Sequence, residues 1–132
     1  MARHSAIGAT LLAVAAFIQA TSTQPSPELQ EHLKQERFDI VTSIRGLPLG
    51  VRSALLTLFE SREYDVQRDI AQPGASFQGA GAIKDPSLPL RRLIAAECSH
   101  DHCLVYYERG GATHMWRVVL FHWTPYVTRL EW

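Results

Sequence analysis

The stretch "ECSHDHC", Glu97 to Cys103, holds both cysteines of the chain, with Ser99, His100, Asp101 and His102 between them. Thiolate, imidazole and carboxylate are all metal ligands. A cysteine beside a histidine could also supply a nucleophile and its base. Two cysteines in an oxidising compartment would instead close the segment as a loop. The state of the thiols decides among these, so the compartment comes first.

The chain opens "MARHSAIGATLLAVAAFIQATSTQP". A basic start at Arg3 and His4 precedes an apolar run from Ala6 to Ile18, then small residues around a cleavage point after Ala20. That order is the layout of a secretory signal peptide, and the run falls short of the roughly 20 apolar residues that span a bilayer. The expected organisation is a signal peptide over 1–20, a mobile leader over 21–27 and one α+β domain over 28–132. The expected location is periplasmic or secreted. The whole chain carries 13 Lys+Arg and 13 Asp+Glu, and losing Arg3 with the leader leaves a net charge of −1. A near-neutral chain has no electrostatic footprint for nucleic acid, and no later segment is apolar enough to insert in a membrane.

Export argues for a Cys98–Cys103 disulfide. The bridge removes both thiolates, and with them the nucleophile and most of the metal site. Five donors within six residues also wrap a tetrahedral ion poorly, since zinc sites commonly use two separated ligand pairs. His100 and His102 remain as an alternative metal pair. There is no Gly-x-Ser-x-Gly elbow and no His-Glu-x-x-His, so no enzyme activity and no cofactor is expected.

Elements must then position the loop. Ser26-Pro27-Glu28 reads as a capped helix start, running to about Gln35 with Leu29 and Leu33 on one face. "RFDIVTSIRG" fits a strand or a buried helical turn equally. "VRSALLTLFESRE" is the clearest helix, with Val51, Leu55, Leu58 and Phe59 on one face. Breakers fill 64–89, where a short strand is expected within 75–83. "GAGAIK" lacks the remaining residues of either phosphate-binding glycine motif.

The last third reads as strands: "LRRLIAAEC", "CLVYYER", "THMWRVVLFHW" and an edge strand in "YVTRLEW". Gly110-Gly111 signals a two-residue hairpin turn. That turn would pair Tyr107 with His114, Val105 with Trp116 and Cys103 with Val118. Opposing Cys98 to Cys103 sets Ala96 against Val105 and Ile94 against Tyr107. One face then carries Ile94, Ala96, Cys98, Cys103, Val105, Tyr107, Trp116, Val118 and Leu120, to be covered by the helix. The other carries Glu97, Leu104, Tyr106, Glu108, Met115 and Arg117, with a cross-strand pair between Glu97 and Arg117. His114 and His122 share the face of Trp116 and read as satisfied edge histidines rather than ligands. Trp116, Trp123 and Trp132 read as an aromatic cluster in the core. The fold class is α+β: an antiparallel sheet of four to five strands with a helix packed on one face.

A strand, a Cys-x4-Cys loop containing His-Asp, a second strand, a tight turn and a third strand, after a helix and a leader, resemble the periplasmic inhibitors of vertebrate lysozyme. That family's loop reads Cys-Lys-Pro-His-Asp-Cys; here it is Cys-Ser-His-Asp-His-Cys. The motif covers roughly 90–119. The resemblance implies a lysozyme as protein partner, with Ser99, His100, Asp101 and His102 entering its cleft and an imidazole meeting the catalytic carboxylates. The His-Asp pair is displaced by one position, so Asp101 stands where the family has histidine. Either His100 or His102 could take that role.

Overall fold

The computed structural model describes residues 24–60, 69–79 and 85–132. The expected signal peptide and the first part of the leader lie outside the described residues, as does the end of the strand expected within 75–83.

Helix α1, Pro27–Lys34, begins as its sequence dictates. Ser26 Oγ accepts the Leu29 N–H at 3.2 Å, and Pro27 stands where a missing N–H does no harm. None of its residues is buried. The ambiguous stretch after it splits into strand β1, Asp39–Val41, and a 3-10 turn over Ile44–Gly46 capped by Ser43. Helix α2, Leu49–Leu58, buries Val51 and Leu55, with Phe59 at its C-cap. Leu58, expected on the same face, is instead partly exposed. Past the cap, Glu60 adopts a left-handed φ of 53° and ends the helix.

The sheet runs β1-β3-β4-β5-β6, with β3 at Arg91–Cys98, β4 at His102–Arg109, β5 at Met115–Trp123 and β6 at Thr128–Leu130. A short β2, Ile70–Ala71, pairs in parallel with β3 at its Arg91 end; the other pairings are antiparallel. β1 and β2 thus share one edge of β3, β1 lying at the Cys98 end. Helix α2 packs its buried stripe on one face, with Ile44 and Leu47, against Leu93, Val105, Tyr107, Val119 and Phe121. This is the expected α+β architecture. Among the described residues no helix is long and apolar enough to cross a membrane.

The register departs from expectation on both sides of β4, through a bulge on β3 and through backbone brought up from distant segments. Cys98 opposes Cys103 and Ala96 opposes Val105 as expected, but a bulge at Ile94 puts Leu93 opposite Tyr107 and into the core. Gly110 and Gly111 do not make a two-residue turn. Gly110 N–H donates to Leu90 O and Gly111 N–H to Gly79 O, and a Cβ on Gly110 would run into the Gln78 carbonyl. The glycines admit this close backbone approach, and residues 110–114 form the connection.

The longer connection sets Tyr107 opposite Arg117, Val105 opposite Val119 and Cys103 opposite Phe121, three residues from the expected register. An odd shift exchanges the faces of a strand. Val119 and Phe121 therefore enter the core, while Trp116 and Val118 face outward and are exposed. Leu120 is buried on the outer face opposite Leu104, where its N–H donates to Trp132 O. Glu97 and Arg117 do not meet across Leu104, because Leu104 pairs with Leu120. The tryptophans go three ways: Trp116 outward, Trp123 against the edge of the core and Trp132 to the chain's return beside Leu120. Residues 75–79 are irregular.

Candidate functional site

Two adjacent strands aim Cys98 and Cys103 at each other, with Cα atoms 4.1 Å apart, and their sulfurs are joined. The bridge leaves Ser99 to His102 as a four-residue turn. Ser99 organises it from within. Its N–H donates to His102 O at 2.7 Å, and its hydroxyl oxygen accepts the N–H groups of His102 at 2.8 Å and Asp101 at 3.2 Å. The hydroxyl proton goes to Glu36 Oε1, 2.7 Å away. A serine at this position thus satisfies the turn's backbone and ties it to a segment 63 residues earlier.

The four polar residues do not all face solvent. Ser99 and His102 are buried, Asp101 is half-buried and only His100 is exposed. Burial of His102 is made tolerable by Glu36, just past the end of α1. The His102 Nδ1 atom lies 2.9 Å from Oε1 and 2.8 Å from Oε2 of that carboxylate. Against a carboxylate, Nδ1 must carry the proton and donate. Its single N–H aligns with Oε1; Oε2 is as near but is left without a well-aligned donor, although buried. The side chain of His32, in the last turn of α1, lies alongside with Nε2 3.9 Å from Oε2.

Burial by itself would raise the Glu36 carboxyl. Hydrogen bonds from His102 and Ser99, and the charges of His102 and His32, outweigh it and hold the group below the usual carboxylate range. The His122 ring meets His102 edge-on from the paired position on β5, 5.2 Å between centroids. Asp101 takes part through its backbone, accepting the Trp123 N–H at 2.9 Å. The turn is therefore braced from α1 and from β5, with His100 left outside.

The alternative metal pair is divided by this arrangement: His102 turns inward and His100 outward. Among the described residues, the ligand-type side chains that do converge are His32, Glu36 and His102, each offering an atom within 4.8 Å of the others. Sequence reasoning missed Glu36 and His32. Spacing cannot find a partner 66 residues away; the one available signal was that a buried histidine needs an acceptor.

A second polar cluster stands at the far end of β4. Glu108, expected on an open face, is buried. Its Oε1 accepts from Arg92 Nε at 2.7 Å and is ion-paired with Nη2 2.6 Å away, and its Oε2 lies 2.8 Å from His114 Nε2. Phe77 covers the Arg92 guanidinium at 4.3 Å, and Trp116 stacks on the His114 ring at 4.4 Å. His114 is thus a satisfied histidine, with Glu108 as its partner.

Fold and loop together define a class: an α+β domain carrying a disulfide-closed polar turn at the end of its sheet. Comparison with protein-family models, curated proteins and solved structures finds no match to the chain.

Proposed function

We propose that the chain is an exported binding protein that presents the turn between Cys98 and Cys103 to a protein partner with a carboxylate-lined cleft, a lysozyme or related glycoside hydrolase first among them. The observation that carries this reading is the division of labour within the turn. Ser99 and His102 are spent on bracing it, while His100 stands exposed on a closed, prearranged backbone. A turn held in one conformation before binding loses little entropy on docking. An exposed imidazole can donate to an acidic residue in the cleft, and a carboxylate partner there favours its protonated form. Because His102 already serves Glu36, His100 takes the contact role and His102 the supporting one. Inhibition would follow from occlusion of the cleft.

The test is an inhibition assay against lysozymes of several types. The intact protein is expected to inhibit at least one. His100→Ala should weaken inhibition by about 30-fold, the size of a binding hot spot near 2 kcal/mol. His102→Ala should weaken it less, and with it the protection of the turn's amides from exchange. Absence of inhibition across all types overturns the reading, as does full inhibition by His100→Ala.

A further inference from the structure

We infer that His32, Glu36 and His102 form a binding site for a divalent transition-metal ion of the zinc class. Two imidazoles and one carboxylate are a donor set that suits zinc, and three protein ligands leave a fourth position for water or for a partner's group. The three residues come from separate parts of the chain. His32 lies in the last turn of α1, Glu36 follows the helix, and His102 opens β4 under the constraint of the disulfide. Their ligand atoms already lie within 4.8 Å of one another.

The distances bracket what an ion requires. Bonds of about 2.0–2.2 Å in a tetrahedron set ligand atoms about 3.3–3.6 Å apart. The His102–Glu36 separation, 2.8 Å, is slightly shorter than this, and the His32–Glu36 separation, 3.9 Å, slightly longer. His32 is 58% exposed at its side chain and can swing inward without repacking. A second observation points to the same place. Glu36 Oε2 is buried, faces both histidines and has no well-aligned donor. A cation would satisfy that oxygen where a single imidazole proton does not.

The ion would displace the His102 proton from Nδ1, leaving a neutral ring that carries its proton on Nε2, and would bind His32 through neutral Nε2. Protons therefore compete with the metal, and affinity falls as the histidines become protonated. Neither cysteine contributes, since both are in the disulfide. Helix α1 buries none of its own residues, so an ion here would add a tie between that helix and the turn.

The experiment uses the protein without a histidine tag and with its disulfide intact. Calorimetric titration with Zn²⁺, and visible absorption on adding Co²⁺, should give one ion per chain with a dissociation constant in the micromolar range or below. His32→Ala alters an exposed position and leaves the fold intact by circular dichroism; it should weaken binding at least about tenfold. Glu36→Gln should do the same, and His100→Ala should change nothing. Zn²⁺ should also slow tryptic cleavage at Lys34 and Arg37 in the parent protein but not in His32→Ala. The inference is overturned by lack of saturable binding below millimolar metal, by unchanged affinity in His32→Ala, or by loss of the site in His100→Ala. It does not depend on lysozyme inhibition: metal titration reads His32 and Glu36 directly, whereas the contact residue of inhibition is His100.

Discussion

Glu36, half-buried, and Glu108, buried, are both carboxylates held by a histidine, one at each end of β4, yet their remaining partners differ in kind. Glu108 has the Arg92 guanidinium, a permanent cation that donates from Nε and sets Nη2 2.6 Å from the same oxygen. Glu36, only half-buried, has a hydroxyl and a second histidine, groups whose charge is absent or conditional. The first cluster is closed: two strands supply carboxylate and cation at directly opposed positions, Arg92 and Glu108. The second joins a peripheral helix to a turn and leaves one carboxylate oxygen poorly served. Compensation by a fixed charge builds the sheet. Compensation by conditional charges leaves an attachment that protons or an ion can change.

The comparison breaks first at Glu108. Glu108→Gln leaves Arg92 facing a neutral amide in a half-buried site, and Arg92→Ala leaves a buried carboxylate with only His114. Removing one partner of a buried pair costs about 3–5 kcal/mol, and the 31% exposure of the Arg92 side chain puts this pair at the lower end. Urea unfolding should show a loss of about 3 kcal/mol for either variant. A loss below about 1 kcal/mol would place the pair among ordinary surface ion pairs and end the contrast with Glu36.

The disulfide sharpens the contrast from the other side. Closing so short a loop, with the cysteines five positions apart, is worth about 2 kcal/mol in the chain-entropy model. Joint replacement of Cys98 and Cys103 by serine should cost that much in urea. Its structural effect should be confined to the turn and α1, since Ser99 and His102 lose their frame while Arg92 and Glu108 keep theirs. Amide exchange resolved by residue separates the two ends. Equal loosening at both would show that they are one cooperative unit.

Glu36→Gln should act more locally still. The amide keeps an acceptor for His102 but loses the charge that strengthens both of its hydrogen bonds, a difference of about 1 kcal/mol. Because α1 buries no residue, the loss should be read as exchange in α1 rather than in global unfolding, about fivefold faster. Acid has the same target. The folded Glu36 carboxyl lies below its ordinary range, with His102, Ser99 and His32 facing it. Such a group contributes stability that is whole above the ordinary carboxylate range and is lost as pH falls through the folded value. In the presence of a chelator, α1 protection should follow that course in the parent protein and become flat across it in Glu36→Gln.

Much of the fold was legible because it rests on local signals. The period of Val51, Leu55 and Phe59, the Ser26-Pro27 cap and the alternation in β3 and β4 each act within a few residues. The opposition of Cys98 to Cys103 followed from the shortness of the loop. What escaped was set by distant backbone. Gly110 and Gly111 look like a tight turn until Gln78 and Gly79 are beside them, and that one error turned Trp116 and Val118 to the wrong face. The turn's residue types were readable, but its orientation was not. Nothing near His102 in sequence says that Glu36 waits for it, so which histidine faces out could not be read from spacing.

Trp116 gives the smallest and most discriminating test. Its ring lies nearly parallel to His114, 17° between planes, and so holds the imidazole against Glu108. Yet Trp116 is 59% exposed, and the removal of a mostly solvated ring forfeits little burial. If Arg92 is what compensates Glu108, His114 is an auxiliary donor, and Trp116→Ala should cost only about 0.5 kcal/mol, near the value of an exposed aromatic contact. A loss as large as that of Arg92→Ala would mean that the stacked histidine carries the site. Glu108 would then depend, like Glu36, on an imidazole, and both carboxylates would rest on conditional partners. A small loss here beside a large one at Arg92 is the combination that a fixed cation requires, and urea unfolding of the two variants side by side decides it.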